Sequence, residues 1–174
     1  MIACAIDGAE PKDTAEPTMS RAFVRESDQE GESLPERLVS AHPNFVTPSG
    51  LRQIEARVVG LETARQNARD ADDKALLARI SRDLRYWNAR RATARVVEAT
   101  TSPDNVRFGS RVSVRFEDGM ERTFQLVGED EANPALGLLS WVAPLAAALV
   151  GHGAGDTVDF QGRAVEIISI EGGA

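Results

Sequence analysis

Two matched apolar stripes constrain this chain more than any other feature. Leu51, Ile54, Val58 and Leu61 recur at 3-4-3 spacing, and Leu77, Ile80, Leu84 and Trp87 repeat the pattern, with Ala94 one heptad further on. Such spacing is the seam of a coiled-coil-type helix. Between the stripes lies the polar run Arg69-Asp70-Ala71-Asp72-Asp73-Lys74. Two helices with matched seams and a short connection fold back as an antiparallel hairpin. Thr47 suits the N-cap and Pro48 the first helical position. The acids after the first helix favour the positive dipole end of the second. Gly60 weakens the first helix by about 1 kcal/mol without stopping it. Arms of twenty-odd residues at about 1.5 Å each make a rod of roughly 30–35 Å.

From Phe108 the period changes to two. Val112, Val114 and Phe116 alternate with Arg111, Ser113 and Arg115, the pattern of a half-buried strand. Glu117-Asp118-Gly119-Met120 is a turn signal, and residues 123–127 return as a second strand. An acidic loop over 128–137 leads to a third strand over 138–142. Pro144 opens a short apolar helix, and a last hairpin crosses Gln161-Gly162. The fold class is therefore α+β: a helical hairpin followed by a small antiparallel sheet domain with one short helix. The domains are expected at 47–99 for the hairpin and 106–171 for the sheet domain.

Residues 1–46 read as a disordered acidic tail, with Pro11, Pro17, Pro35 and Pro43 interrupting any helix. Met19 is an alternative start. Charge divides the chain in three: 9 acids and 4 bases over residues 1–47, 7 and 11 over 48–99, 11 and 5 over 100–174. A sheet domain that repels phosphate argues against a simple nucleic-acid binder. The single cysteine, Cys4, excludes an intrachain disulfide and a cysteine zinc site. No apolar run approaches the roughly 18 residues of a membrane span, which points to a bacterial-type cytoplasm. The loop Gly151-His152-Gly153-Ala154-Gly155 follows a helix instead of opening one, so it lacks phosphate-loop geometry. Asp70, Asp72 and Asp73 at the hairpin tip read first as a solvated, capping turn. Their second reading is a Mg²⁺-facing tip, since clustered carboxylates are hard oxygen ligands. The arginines of the second arm give the rod a basic flank.

Several stretches resemble the GreA/GreB transcription elongation factor family. Val106-Arg107-Phe108-Gly109-Ser110-Arg111-Val112 resembles the entry into its C-terminal domain. Leu126-Val127-Gly128-Glu129-Asp130-Glu131-Ala132 and Leu139-Ser140-Trp141-Val142-Ala143-Pro144-Leu145-Ala146 resemble its two signatures. The hairpin resembles the family more weakly, through Val46-Thr47-Pro48-Ser49-Gly50-Leu51 and Arg82-Asp83-Leu84-Arg85-Tyr86-Trp87. The hairpin is shorter than in the cleavage factors, and their acidic tip motif is absent, with only Gln66-Asn67-Ala68 similar to it. In both respects, and in Ala143-Pro144, the chain is similar to the nucleoside diphosphate kinase regulator branch.

The resemblance implies an FKBP-like C-terminal domain that binds RNA polymerase beside its secondary channel, with the coiled coil entering the channel. Glu129, Asp130, Glu131, Ala143, Pro144 and Leu145 are the implied polymerase contacts, expected to form one exposed patch. The implied role is a monomeric elongation regulator, not itself an enzyme, with weak or no stimulation of transcript cleavage and only indirect contact with nascent RNA and DNA. The alternative is a cleavage factor whose Asp70, Asp72 and Asp73 help to hold a Mg²⁺ shared with the polymerase active site. No cofactor or metal of its own is implied.

Overall fold

The computed structural model describes residues 34–101 and 103–173. The expectations about residues 1–33, including Met19 as a start, lie outside the described residues. Helix α1 runs Pro48–Asp70 and α2 runs Lys74–Thr93. Each start follows from its cap. Thr47 Oγ1 accepts from the Gly50 N–H and Pro48 occupies the first turn, while Asp73 Oδ1 accepts from the Leu76 N–H at 2.9 Å. The helices pack on the seam the spacing predicts. Val58, Ala68, Ile80 and Leu84 are buried together, with Leu61, Ala64, Leu77 and Trp87 packed around them. Ala94 falls just beyond the seam, as the C-cap of α2.

The sheet domain contains β3 (Arg111–Phe116), β4 (Glu121–Val127), β5 (Leu138–Ser140), β6 (Thr157–Phe160) and β7 (Arg163–Glu171), in spatial order β5-β4-β3-β7-β6. Helix α3, Pro144–Leu149, lays Leu145, Ala146 and Leu149 on Val112, Val114, Leu126, Val158, Val165 and Ile167. Both hairpin turns use the backbone the sequence signals. Gly119 has φ +81°, and Gln161 and Gly162 have φ +57° and +76°.

The sheet differs from a purely antiparallel one at β5, which runs parallel to β4 with Gln125 opposite Leu138. The cause lies in the connection. It makes 3-10 turns at Glu129–Glu131 and Pro134–Leu136, carrying the chain back alongside β4 instead of folding it over in a hairpin. Gly137 closes this path at φ +71°, where a Cβ would lie 2.8 Å from the Thr123 carbonyl oxygen.

A second departure concerns the expected tail. Residues 34–46 are among the described residues and lie against the hairpin. Strand β1, Phe45–Val46, pairs in parallel with β2, Arg95–Val96, at the hairpin base. Val46 and Asn44 are buried there. The physical reason is that Asn44, Phe45 and Val46 find partners only in tertiary contact, which a local polar composition does not reveal.

Leu84, 3% exposed, gives a direct check of the seam. Leu84→Asp is expected to lower unfolding stability by at least ~3 kcal/mol, measured by chemical denaturation, with loss of far-ultraviolet helical signal. Retention of wild-type stability would show that the two helices do not depend on this seam.

Candidate functional site

The 3-10 turn Glu129–Glu131 sits where the hairpin meets the sheet, and all three acids engage the hairpin. Glu131 is 7% exposed. Its Oε1 accepts from the Thr47 N–H at 2.9 Å and the Gly128 N–H at 3.3 Å, and its Oε2 accepts from the Thr47 hydroxyl at 2.5 Å. Thr47 Oγ1 in turn accepts from the Gly50 N–H at 3.0 Å. The carboxylate thus sits behind the N-cap, at the positive end of α1, where an anion is favoured and charge-assisted hydrogen bonds are short. Glycine is required at two places around it. A Cβ on Gly50 would lie 2.0 Å from Glu131 Cδ, and one on Gly128 would lie 2.6 Å from the Phe45 carbonyl oxygen.

The other two acids grip α2. Arg90 is 1% exposed. Its Nε donates to Asp130 Oδ2 at 2.5 Å and an Nη to Glu129 Oε2 at 3.3 Å. The Tyr86 hydroxyl donates to Asp130 Oδ1 at 2.7 Å. An arginine withdrawn from water needs such partners, because an uncompensated buried charge costs several kcal/mol. The Asn44 side-chain amide donates to the Arg90 carbonyl oxygen at 2.7 Å and to Thr93 Oγ1 at 3.2 Å, holding the last turn of α2. Beside this network Phe45 packs on Trp141 and Phe108, with ring centroids 5.1 and 5.8 Å apart.

The expected exposed patch is therefore corrected. Glu131 and Leu145 are buried, Glu129, Asp130 and Ala143 are half-buried, and Pro144 alone of the six is exposed. Asp130 is held by Arg90 and Tyr86, Glu131 by Thr47 and Gly128, and Glu129 by one Arg90 Nη. The sequence puts Arg90 among the arginines of the basic flank and Tyr86 in the stretch Arg82–Trp87, and assigns neither to this junction. Their one signal is the i, i+4 spacing that places both on the same face of α2; nothing local indicates acids some forty positions away. Close by, the Trp141 indole Nε1 and Ser140 Oγ are buried without a hydrogen-bond partner among the described residues.

The tip residues are brought into one turn but not into one site. Asp73 is committed to the N-cap of α2, Asp70 Oδ1 accepts from Gln66 Nε2 at 2.8 Å, and Asp72 has φ +50°. Among the described residues no three His, Cys, Asp or Glu side chains converge to hold a metal. These residues do not fit a Mg²⁺ site of the chain's own.

The family model "Transcription elongation factor, GreA/GreB, C-term" matches residues 100–172, which include the acidic turn and α3. A transcription elongation factor GreA of Ruegeria pomeroyi is 34% identical over 155 residues, spanning 72% of this chain and 96% of the relative. The chain belongs to the GreA/GreB family. The Ruegeria match covers more of the chain than residues 100–174 contain, so GreA/GreB similarity extends upstream of the sheet domain. A GreB of Neisseria meningitidis serogroup B is 36% identical over 104 residues, spanning 56% of this chain and 64% of the relative. Among solved structures, a GreA/GreB factor of Nitrosomonas europaea is 26% identical over 73% of this chain and 98% of its own, with a TM-score of 0.36.

Burial and the hydrogen bond to Asp130 push the Tyr86 phenol up from 10.0 to about 12. A folded-state pKa above the unfolded one favours folding below the unfolded value, and that contribution is lost as pH rises through the folded value. Stability is therefore expected to fall more steeply between about pH 10 and pH 12 in wild type than in Tyr86→Phe. Denaturant midpoints across this range check it; parallel curves would mean that Tyr86 is not held by the junction.

Proposed function

We propose that this chain docks on RNA polymerase through its sheet domain, extends the hairpin into the secondary channel and modulates elongation with weak or no stimulation of transcript cleavage. It acts as a monomer, touches nascent RNA and DNA only indirectly, and is not an enzyme; any RNA hydrolysis would belong to the polymerase active site. Family membership supports the polymerase association, as does the exposed Pro144 at the start of α3, within the stretch that resembles a family signature.

One observation carries the weak-cleavage reading: Asp73 is committed to the cap of α2 and Asp70 accepts from Gln66. Asp73 cannot leave its capping position without freeing the first turn of α2, at about 1 kcal/mol. The 23 residues of α1 give an arm of about 34 Å. Each helical turn fewer withdraws the tip by about 5 Å, beyond what a side chain recovers. Among the described residues no helix is long and apolar enough to cross a membrane.

The test incubates backtracked elongation complexes with the protein and Mg²⁺ and reads RNA length on a gel. Little shortening is expected, together with loss of cleavage by a competent factor added in competition. Pro144→Glu is expected to weaken co-sedimentation with polymerase at least tenfold without lowering the melting temperature. Strong shortening of the RNA that disappears in an Asp70, Asp72, Asp73 to Ala triple variant, with binding intact, would contradict the weak-cleavage reading. Undiminished binding of Pro144→Glu would contradict the docking face.

A further inference from the structure

Residues 34–42 form an irregular strap along α2, and the way it is held is unusual. Among the described residues, no backbone–backbone hydrogen bond involves these residues. Leu34 is half-buried and His42 meets the Trp141 ring edge to face at 6.1 Å, but Leu38 between them is 94% exposed. The middle of the strap is anchored by a pair of charged side chains. Glu36 forms an ion pair with Arg85, whose hydrogen bond holds the Glu36 carboxyl below its ordinary range. Arg37 places its guanidinium 3.8 Å from the centre of the Tyr86 ring and 5.6 Å from that of Trp87, with an Nη 3.8 Å from Asp83 Oδ1.

The two rings stand edge to face, 5.2 Å apart at 87°. Together with Asp83 they make a seat for a planar cation: a guanidinium stacks on one aromatic face, meets a second ring and keeps a carboxylate at its rim. Tyr86 is fixed in this pose from behind by its hydrogen bond to Asp130, so the seat is organised by the junction and not by the strap. The strap's own contacts are solvated and salt-screened, and such contacts are individually weak.

We propose that the Asp83–Tyr86–Trp87 face of α2 is an arginine-recognition site, filled in cis by Arg37, that accepts an arginine from an irregular segment of a partner protein when the strap lifts. The strap is the pseudo-ligand: it shows which side chain the seat fits and in what context, an irregular segment with an acidic neighbour. Lysine is a poorer occupant, because a compact ammonium cannot stack on the ring as a guanidinium does.

The test uses the full chain and a blocked peptide of residues 34–42, followed through the Trp87 indole N–H resonance. In the Arg37→Ala variant the peptide is expected to shift this resonance saturably. In wild type its apparent affinity is expected to be at least about tenfold weaker, because the tethered strap competes at an effective concentration on the order of millimolar. Asp83→Asn in the Arg37→Ala background, or Arg37→Lys in the peptide, should each weaken binding about fivefold or more. Absence of a saturable shift in Arg37→Ala, equal response in wild type and variant, or indifference to both weakening changes would overturn the proposal.

Discussion

Arg90 is the residue around which this molecule is joined. A guanidinium that is 1% exposed, on a helix of an otherwise solvated hairpin, can exist only where acids reach it. Asp130 and Glu129 do so from the sheet domain, and Glu131, next in the chain, meets the start of the other helix through Thr47. One acidic turn therefore touches both arms at their base. The pairing of β1 with β2 and the packing of Phe45 on Trp141 build out from that contact. A hairpin held at both roots can project as a stiff arm.

The two ends of the hairpin divide their acids between different tasks. At the base, Asp130 and Glu131 are each fixed by two or more donors and Glu129 by Arg90. At the tip, Asp70, Asp72 and Asp73 are exposed; Asp73 caps α2 and Asp70 accepts from Gln66. Neither group is a free carboxylate cluster of the kind that would hold a divalent cation. The arginine seat on α2 lies between base and tip, and it inherits its order from the base through Tyr86 and Asp130.

Local signals made much of the fold legible. Thr47-Pro48 marked the start of α1, the heptads at Leu51–Leu61 and Leu77–Trp87 marked the packed faces, and period-two alternation at 111–116 marked β3. The parallel placement of β5 was not legible, because three residues carry no orientation signal and the two 3-10 turns before them decide it. The acids 129–131 stood out as a run, yet composition suggests exposure for such a run. Their burial depends on Arg90 and Thr47, which tertiary folding alone brings near. For the same reason the strap looks like tail in the sequence: Glu36 and Arg37 look like solvated charge until Arg85, Tyr86 and Asp83 are beside them.

The central claim, that the acidic turn holds the hairpin through Arg90, is tested most directly by a double-mutant cycle. Arg90→Met and Asp130→Asn, alone and together, are measured by denaturant unfolding of the full chain. A buried, hydrogen-bonded ion pair predicts that each single change destabilises strongly while the double variant recovers part of the loss, a coupling of about 2 kcal/mol or more. Losses that add to within about 0.5 kcal/mol would contradict it, and would mean that the two residues lie side by side without holding the junction together.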